Sequence, residues 1–100
     1  MTTLLLSIRP APLAAWFHHS FTRPVVEIDG AERPAKWGDQ ALDLPPGEHR
    51  LRVYFRYRGQ RLARLAESGT DLTLPDARES IRLRARLGLP NGSRFRFYQG

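Results

Sequence analysis

From Glu48 to Tyr57 the chain alternates apolar and polar side chains without a break. His49, Leu51, Val53, Phe55 and Tyr57 fall in one register, and Arg50, Arg52, Tyr54 and Arg56 in the other. Successive side chains of a strand point to opposite faces of its sheet. A period of two therefore predicts a strand with one buried face and one wet face. The pattern returns over Ser80–Leu87, where Ile81, Leu83, Ala85 and Leu87 alternate with Arg82, Arg84 and Arg86. It returns again where Phe95 and Phe97 alternate with Arg94, Arg96 and Tyr98. Shorter candidate strands are Thr2–Ile8, Ala15–Ser20, Val25–Ile28, Ala41–Leu44 and Thr70–Leu74.

Turn residues separate these runs. Asp29-Gly30 and Asn91-Gly92 are strong hairpin signals, because Gly, Asn and Asp tolerate positive φ. Pro45-Pro46-Gly47 makes a rigid turn that cannot continue a strand. Gly59–Glu67 reads as one short helical turn or an extended loop. The expectation is an all-β fold, an immunoglobulin-like antiparallel β-sandwich of about seven or eight short strands, filling residues 1–100 as a single domain. Its inward set is Leu4, Leu6, Ile8, Val26, Ile28, Leu42, Leu44, Leu51, Val53, Phe55, Leu72, Leu74, Ile81, Leu83, Leu87, Phe95 and Phe97.

Two local patterns carry a resemblance. Val26-Glu27-Ile28-Asp29-Gly30 is a strand ending in an Asp-Gly turn. Leu44-Pro45-Pro46-Gly47-Glu48-His49-Arg50-Leu51-Arg52-Val53 leads from a Pro-Gly turn through Glu-His into an alternating strand. Together they resemble the PEGA-type β-sandwich domains, in which the first pattern makes a hairpin and the second starts a long central strand. The resemblance implies a non-enzymatic domain associated with surfaces or with other domains. The arginine-rich composition also resembles that of small proteins of high-GC actinobacterial type.

Composition removes several function classes. The chain has no cysteine, which excludes a disulfide framework, thiol catalysis and cysteine-ligated zinc. Arg9 and Pro10 cut the apolar run after Leu4-Leu5-Leu6, and no basic residue precedes it, so a signal peptide is not expected. No stretch approaches the length of a membrane span. The cytoplasm is the expected location.

Catalytic patterns are equally scarce. His18-His19 invites a metal reading, but neighbours on a strand face opposite ways and cannot easily share an ion. His49 falls in the apolar register, which predicts a buried, hydrogen-bonded ring. No serine stands in a Gly-x-Ser-x-Gly context, and no glycine-rich phosphate loop is present. Glu27 and Asp29 share a face but flank a turn. The sequence therefore predicts no catalytic residues, no metal site and no cofactor.

Charge is the feature that rises above background. Residues 1–48 hold four basic and six acidic side chains, a net of −2, and residues 49–100 hold twelve and four, a net of +8. Lys36 is the only lysine. GC-rich codons favour arginine, and so does recognition of carboxylates and phosphates through its planar fork. Arg50, Arg52 and Arg56 share one strand face, Arg82, Arg84 and Arg86 a second, and Arg94 and Arg96 a third. If these strands are neighbours, a single face gathers about eight guanidinium groups, with Tyr54 and Tyr98 among them and Tyr57 at the margin. Trp16 and Trp37 are candidate interface residues.

Two readings follow. The first is a non-catalytic interaction module that docks onto a protein partner or onto its own copy, by strand addition at a sheet edge. The alternative is non-specific binding of nucleic acid or another polyanion through the arginine face.

Overall fold

The alternation of each run sets which side of its strand is buried. In β1 (Thr2–Arg9), Leu4, Leu6 and Ile8 point inward and Thr3, Leu5 and Ser7 sit half-exposed on the other side. The computed structural model describes residues 2–11, 14–75, 80–87 and 94–99. A short helix, α1 (Ala15–Phe21), follows β1. Then come β2 (Thr22–Ile28), β3 (Ala31–Pro34), β4 (Gly38–Leu44), β5 (Gly47–Tyr57), β6 (Leu65–Leu74), β7 (Ser80–Leu87) and β8 (Phe95–Gln99).

These strands form two four-stranded sheets. Sheet A has the order β4-β1-β7-β8, and sheet B the order β3-β2-β5-β6. Of the six ladders among the described residues, five are antiparallel, and β1 pairs with β7 in parallel. Connectivity permits the parallel pair, since β1 and β7 are far apart in the chain and only a tight hairpin would force them antiparallel. The fold is the all-β sandwich that the periodicity predicts.

The inner faces meet in one apolar core. Leu4, Leu6, Ile8, Leu44, Leu83, Ala85, Leu87 and Phe95 come from sheet A, and Val26, Ile28, Leu51, Val53, Leu72 and Leu74 from sheet B. Leu42, Phe55, Ile81 and Phe97 pack at its margin. Every residue expected to point inward lies in this cluster or against it.

Two elements depart from expectation. Ala15–Ser20 is helical, not a strand. The chain must cross there from sheet A to sheet B, and its buried positions follow a helical period. His18 turns inward, while Trp16 and His19 turn outward. The ring of His18 packs on Trp37 and Phe55 at centroid distances of 5.2 and 5.0 Å. Thr22 Oγ1 donates to the His18 carbonyl at 2.9 Å, so it accepts from His18 Nδ1 at 3.0 Å, and Nδ1 carries the proton. The second departure is β3, a fully exposed strand with no apolar alternation of its own. It exists as the hairpin partner of β2. The Asn91-Gly92 turn lies outside the described residues.

The hairpin turn and the Pro-Gly turn are fastened to each other. Asp29 and Gly30 both have positive φ, 51° and 87°, as a two-residue hairpin of the favoured twist requires. The Asp29 carboxylate accepts from the Arg50 backbone N–H at 2.9 Å and from His49 Nδ1 at 2.6 Å. His49 Nε2 lies 2.7 Å from the Pro45 carbonyl. Both ring nitrogens face acceptors, so both donate, and the ring is an imidazolium. The Asp29 carboxylate and the Pro45 carbonyl raise its pKa above the ordinary histidine value. The Arg50 amide and His49 in turn lower that of Asp29.

The sign of the pH dependence follows. A raised histidine pKa stabilises the fold fully below its ordinary value, about 6.5, and this is lost as pH rises through the raised folded value. A lowered aspartate stabilises above its ordinary value, about 3.9, and is lost as pH falls through the lowered folded value. His18 acts oppositely to His49, because burial and then His19 lower its pKa. Its contribution is present above about 6.5 and declines as pH falls through the lowered value. A difference measurement isolates the fastening. His49→Gln should lower the thermal midpoint most between about pH 4 and pH 6.5, and the gap from wild type should shrink as pH rises further. A gap independent of pH would show that His49 is not charged in the folded protein.

Candidate functional site

The arginines predicted to share one face divide between the two sheets. β5 pairs with β2 and β6 in sheet B, whereas β7 and β8 lie in sheet A. Arg50, Arg52 and Arg56 therefore face away from Arg82, Arg84, Arg86, Arg94 and Arg96, with the whole core between them. The period of two sets which way each side chain points but does not set strand order, so the eight-guanidinium face does not form.

On sheet B the three arginines of β5 are neutralised. Arg50 meets Asp71 at 3.6 Å, in direct cross-strand register. Arg52 meets Glu67 at 3.2 Å. Arg56 is only 3% exposed. It pairs with Glu32 at 2.9 Å and donates to the Ala63 carbonyl at 3.1 Å and to the Arg61 carbonyl. Through these bonds residues 58–64 fold back over the sheet. Arg64 then reaches Glu27 at 2.6 Å and Glu67 at 3.1 Å, with its guanidinium 4.8 Å from the Tyr54 ring centre.

Tyr54 is 0% exposed beneath this layer, and its hydroxyl donates to Glu32. Burial, and then the Glu32 carboxylate, push its phenol above the ordinary tyrosine range. It offers no ring to a ligand, contrary to expectation. The sequence carries no signal for the roles of Glu32 and Glu67, and Glu27, expected only to flank a turn, is buried against Arg64. Glu27 lies in register with Arg52 on one side and Glu32 on the other, a pattern that a correct strand order would have exposed.

Sheet A is different. Arg82, Arg84 and Arg86 alternate with buried Leu83, Ala85 and Leu87, and all three are exposed. In register, Arg86 faces Arg96 on β8 and Arg9 on β1, which makes a row of three guanidinium-bearing positions. In the next row, Arg84 faces Tyr98 and Ser7. Arg94 is exposed just before β8. Among the described residues, no carboxylate pairs with Arg82, Arg84, Arg86, Arg94 or Arg96. Directly opposed like charges cost up to about 1 kcal/mol per pair. An anion laid across the row would remove that cost.

The acidic groups stay at the β4 edge. Arg9 pairs with Asp39 at 3.2 Å and donates to Ser7 Oγ at 3.2 Å. Thr3 donates to Asp43 at 2.8 Å. Between this edge and the arginines runs an open cavity of about 730 Å³, lined among others by Leu5, Ser7, Arg9, Asp39, Arg82 and Arg84. Its floor is part apolar and its rim mainly cationic.

The two tryptophans separate. Trp37 is packed, not displayed. Its ring stacks on Phe95 at 6.1 Å and lies against His18 and Phe55, with Nε1 3.4 Å from the Thr22 carbonyl. Trp16 is 69% exposed, on a helix and not on a strand. The same helix directs His18 and His19 to opposite sides. Among the described residues, no three His, Asp or Glu side chains are grouped to hold a metal ion. No helix among them is long and apolar enough to cross a membrane.

No family model, curated protein or solved structure matches the chain.

The contrast between the faces is testable through stability. Glu32→Ala leaves the buried Arg56 guanidinium and the Tyr54 hydroxyl without their carboxylate, and should cost about 1–3 kcal/mol in urea unfolding. Arg50→Gln removes only an exposed pair and should stay within about 1 kcal/mol of wild type. Equal effects would mean that the sheet B network is solvated.

Proposed function

We propose that this protein is a non-catalytic binding module whose working surface is the outer face of sheet A, and that the surface takes a polyanion. One observation carries the reading. Arg82, Arg84, Arg86 and Arg96 share that face, with Arg94 just before β8, and none pairs with a carboxylate among the described residues, whereas Arg50, Arg52 and Arg56 of the central strand of sheet B are matched by Asp71, Glu67 and Glu32. Codon bias alone predicts no such asymmetry. Guanidinium forks suit phosphate oxygens, and half-exposed Tyr98 beside Arg84 suits a base or sugar ring.

A kinship with PEGA-type domains is part of the proposal. Its support is that the two patterns bearing the resemblance touch through Asp29, His49 and Arg50. The cysteine-free chain suits a compartment where disulfides do not form, and the cytoplasm is the proposed location.

Docking onto a protein partner or a second copy is the other reading. β4 and β6 are edge strands, each with a single ladder partner among the described residues, and strand addition needs such an edge. Light scattering at micromolar concentration should then report a dimer, and a strict monomer removes self-association.

Salt separates the two. Each neutralised phosphate contributes a slope of about −0.7 to −0.9 to the dependence of log affinity on log salt, so five engaged arginines give roughly −4. Replacing Arg82, Arg84 and Arg86 by Gln should flatten the slope to roughly −2, and Arg50→Gln should leave it unchanged. No oligonucleotide binding in low salt up to ~100 μM would end the polyanion reading.

A further inference from the structure

Helix α1 closes one end of the sandwich, where β1 leaves sheet A and β2 enters sheet B. Trp16, Phe21 and Tyr57 are 69, 51 and 41% exposed there. They form one patch, because all three surround Phe17, at centroid distances of 6.1, 5.3 and 6.0 Å. Soluble surfaces rarely display several adjoining aromatic rings unless something covers them.

The charged side chains held beside the patch are arginines. The segments that carry the rings, residues 14–23 and 54–64, contain no aspartate or glutamate. Arg58 donates to the His19 and Ser20 carbonyls at the end of α1, at 3.3 and 3.1 Å. Arg23 donates to the Gln60 carbonyl at 3.2 Å. Both are therefore held beside the aromatic rings by neutral acceptors and keep their full charge. Asp29, Glu48 and Asp71 belong to the turns at the far end, where Gly47 lies opposite Leu74 and Asp71 opposite Arg50.

We propose that this end is a membrane-contact surface, where Trp16, Phe21 and Tyr57 enter the headgroup region of an anionic bilayer and Arg23 and Arg58 meet lipid phosphates. Tryptophan and tyrosine favour that boundary, and arginine lays its stem on apolar surface while its head stays at the phosphates. The occupant is a lipid surface and not a nucleic-acid strand, because the rings gather around Phe17 without stacking on it. Trp16 and Tyr57 meet Phe17 edge-on, at 87° and 79°, and Phe21 meets it at 43°. A cluster closed around one central ring makes a compact apolar plug, whereas successive bases need a run of separate stacking platforms. Attachment is peripheral and electrostatically gated, since aromatic anchors alone hold weakly. The residues differ from those of the sheet A face, so neither reading rests on the other.

The full chain should sediment with phosphatidylcholine vesicles that contain phosphatidylserine, and not with phosphatidylcholine alone. Replacing Trp16 and Phe21 together by Ala should weaken this about tenfold or more, with an unchanged circular dichroism spectrum, as both side chains are largely exposed. Arg82→Gln/Arg84→Gln/Arg86→Gln should still bind the vesicles. Brominated lipid should quench the wild type but not Trp16→Phe, because Trp37 is packed inside. The proposal is overturned if anionic vesicles bring down no protein, or if loss of Trp16 and Phe21 changes nothing. It is also overturned if only the sheet A arginines matter, or if the Trp16/Phe21 variant loses oligonucleotide binding alone.

Discussion

The structure depends on the two-faced character of β5. Its inner register, Leu51 and Val53, closes the core against sheet A, and its outer register holds Arg50, Arg52, Tyr54 and Arg56. A central strand with four large outer side chains, three of them cationic, cannot leave that face bare. Three strands and a connection respond. β2, β3 and β6 supply carboxylates, and residues 58–64 fold back to cover Tyr54. That cover makes sheet B nearly self-sufficient. Among the described residues only the β4 edge supplies acid to sheet A, and Arg82, Arg84 and Arg86 stay exposed without a carboxylate partner.

The strands with apolar alternation were legible from the sequence, and their inward residues with them. Leu51, Val53, Leu83 and Phe95 point where a period of two sends them. What failed was information that period does not carry. Trp16-Phe17 and Phe21 have high β-propensity, yet the short crossing between sheets needs a compact helix there. Ala31–Pro34 has no periodic signal and is a strand only through its partner. The candidate site was half legible: each arginine points outward as read, but which strands are neighbours is a long-range fact. Trp37, an interface candidate from the sequence, lies in the connection before β4 and packs its ring against the core.

The histidines show how context sets chemistry. His18 is held between aromatic rings, with one hydroxyl partner, and its environment favours the neutral form. His49 sits between a carboxylate and a carbonyl, which favour the charged form. Neither state follows from residue identity. Both follow from which acceptors the turns bring within reach.

The parallel β1/β7 ladder orders events during synthesis. β1 leaves the ribosome before the other seven described strands, yet one of its two neighbours, β7, ends at Leu87. Sheet B, by contrast, is complete once residue 74 has emerged. Its apolar inner face must then wait for half of sheet A, while the leucines of β1 wait for a strand made after all of sheet B. Such separated pairing is slow and leaves apolar surface open in the interval. The proline-containing edge β3 limits sheet-to-sheet pairing on one flank of the early half. A truncation that removes β7 would thus leave the first strand with a single partner and the core without its lid.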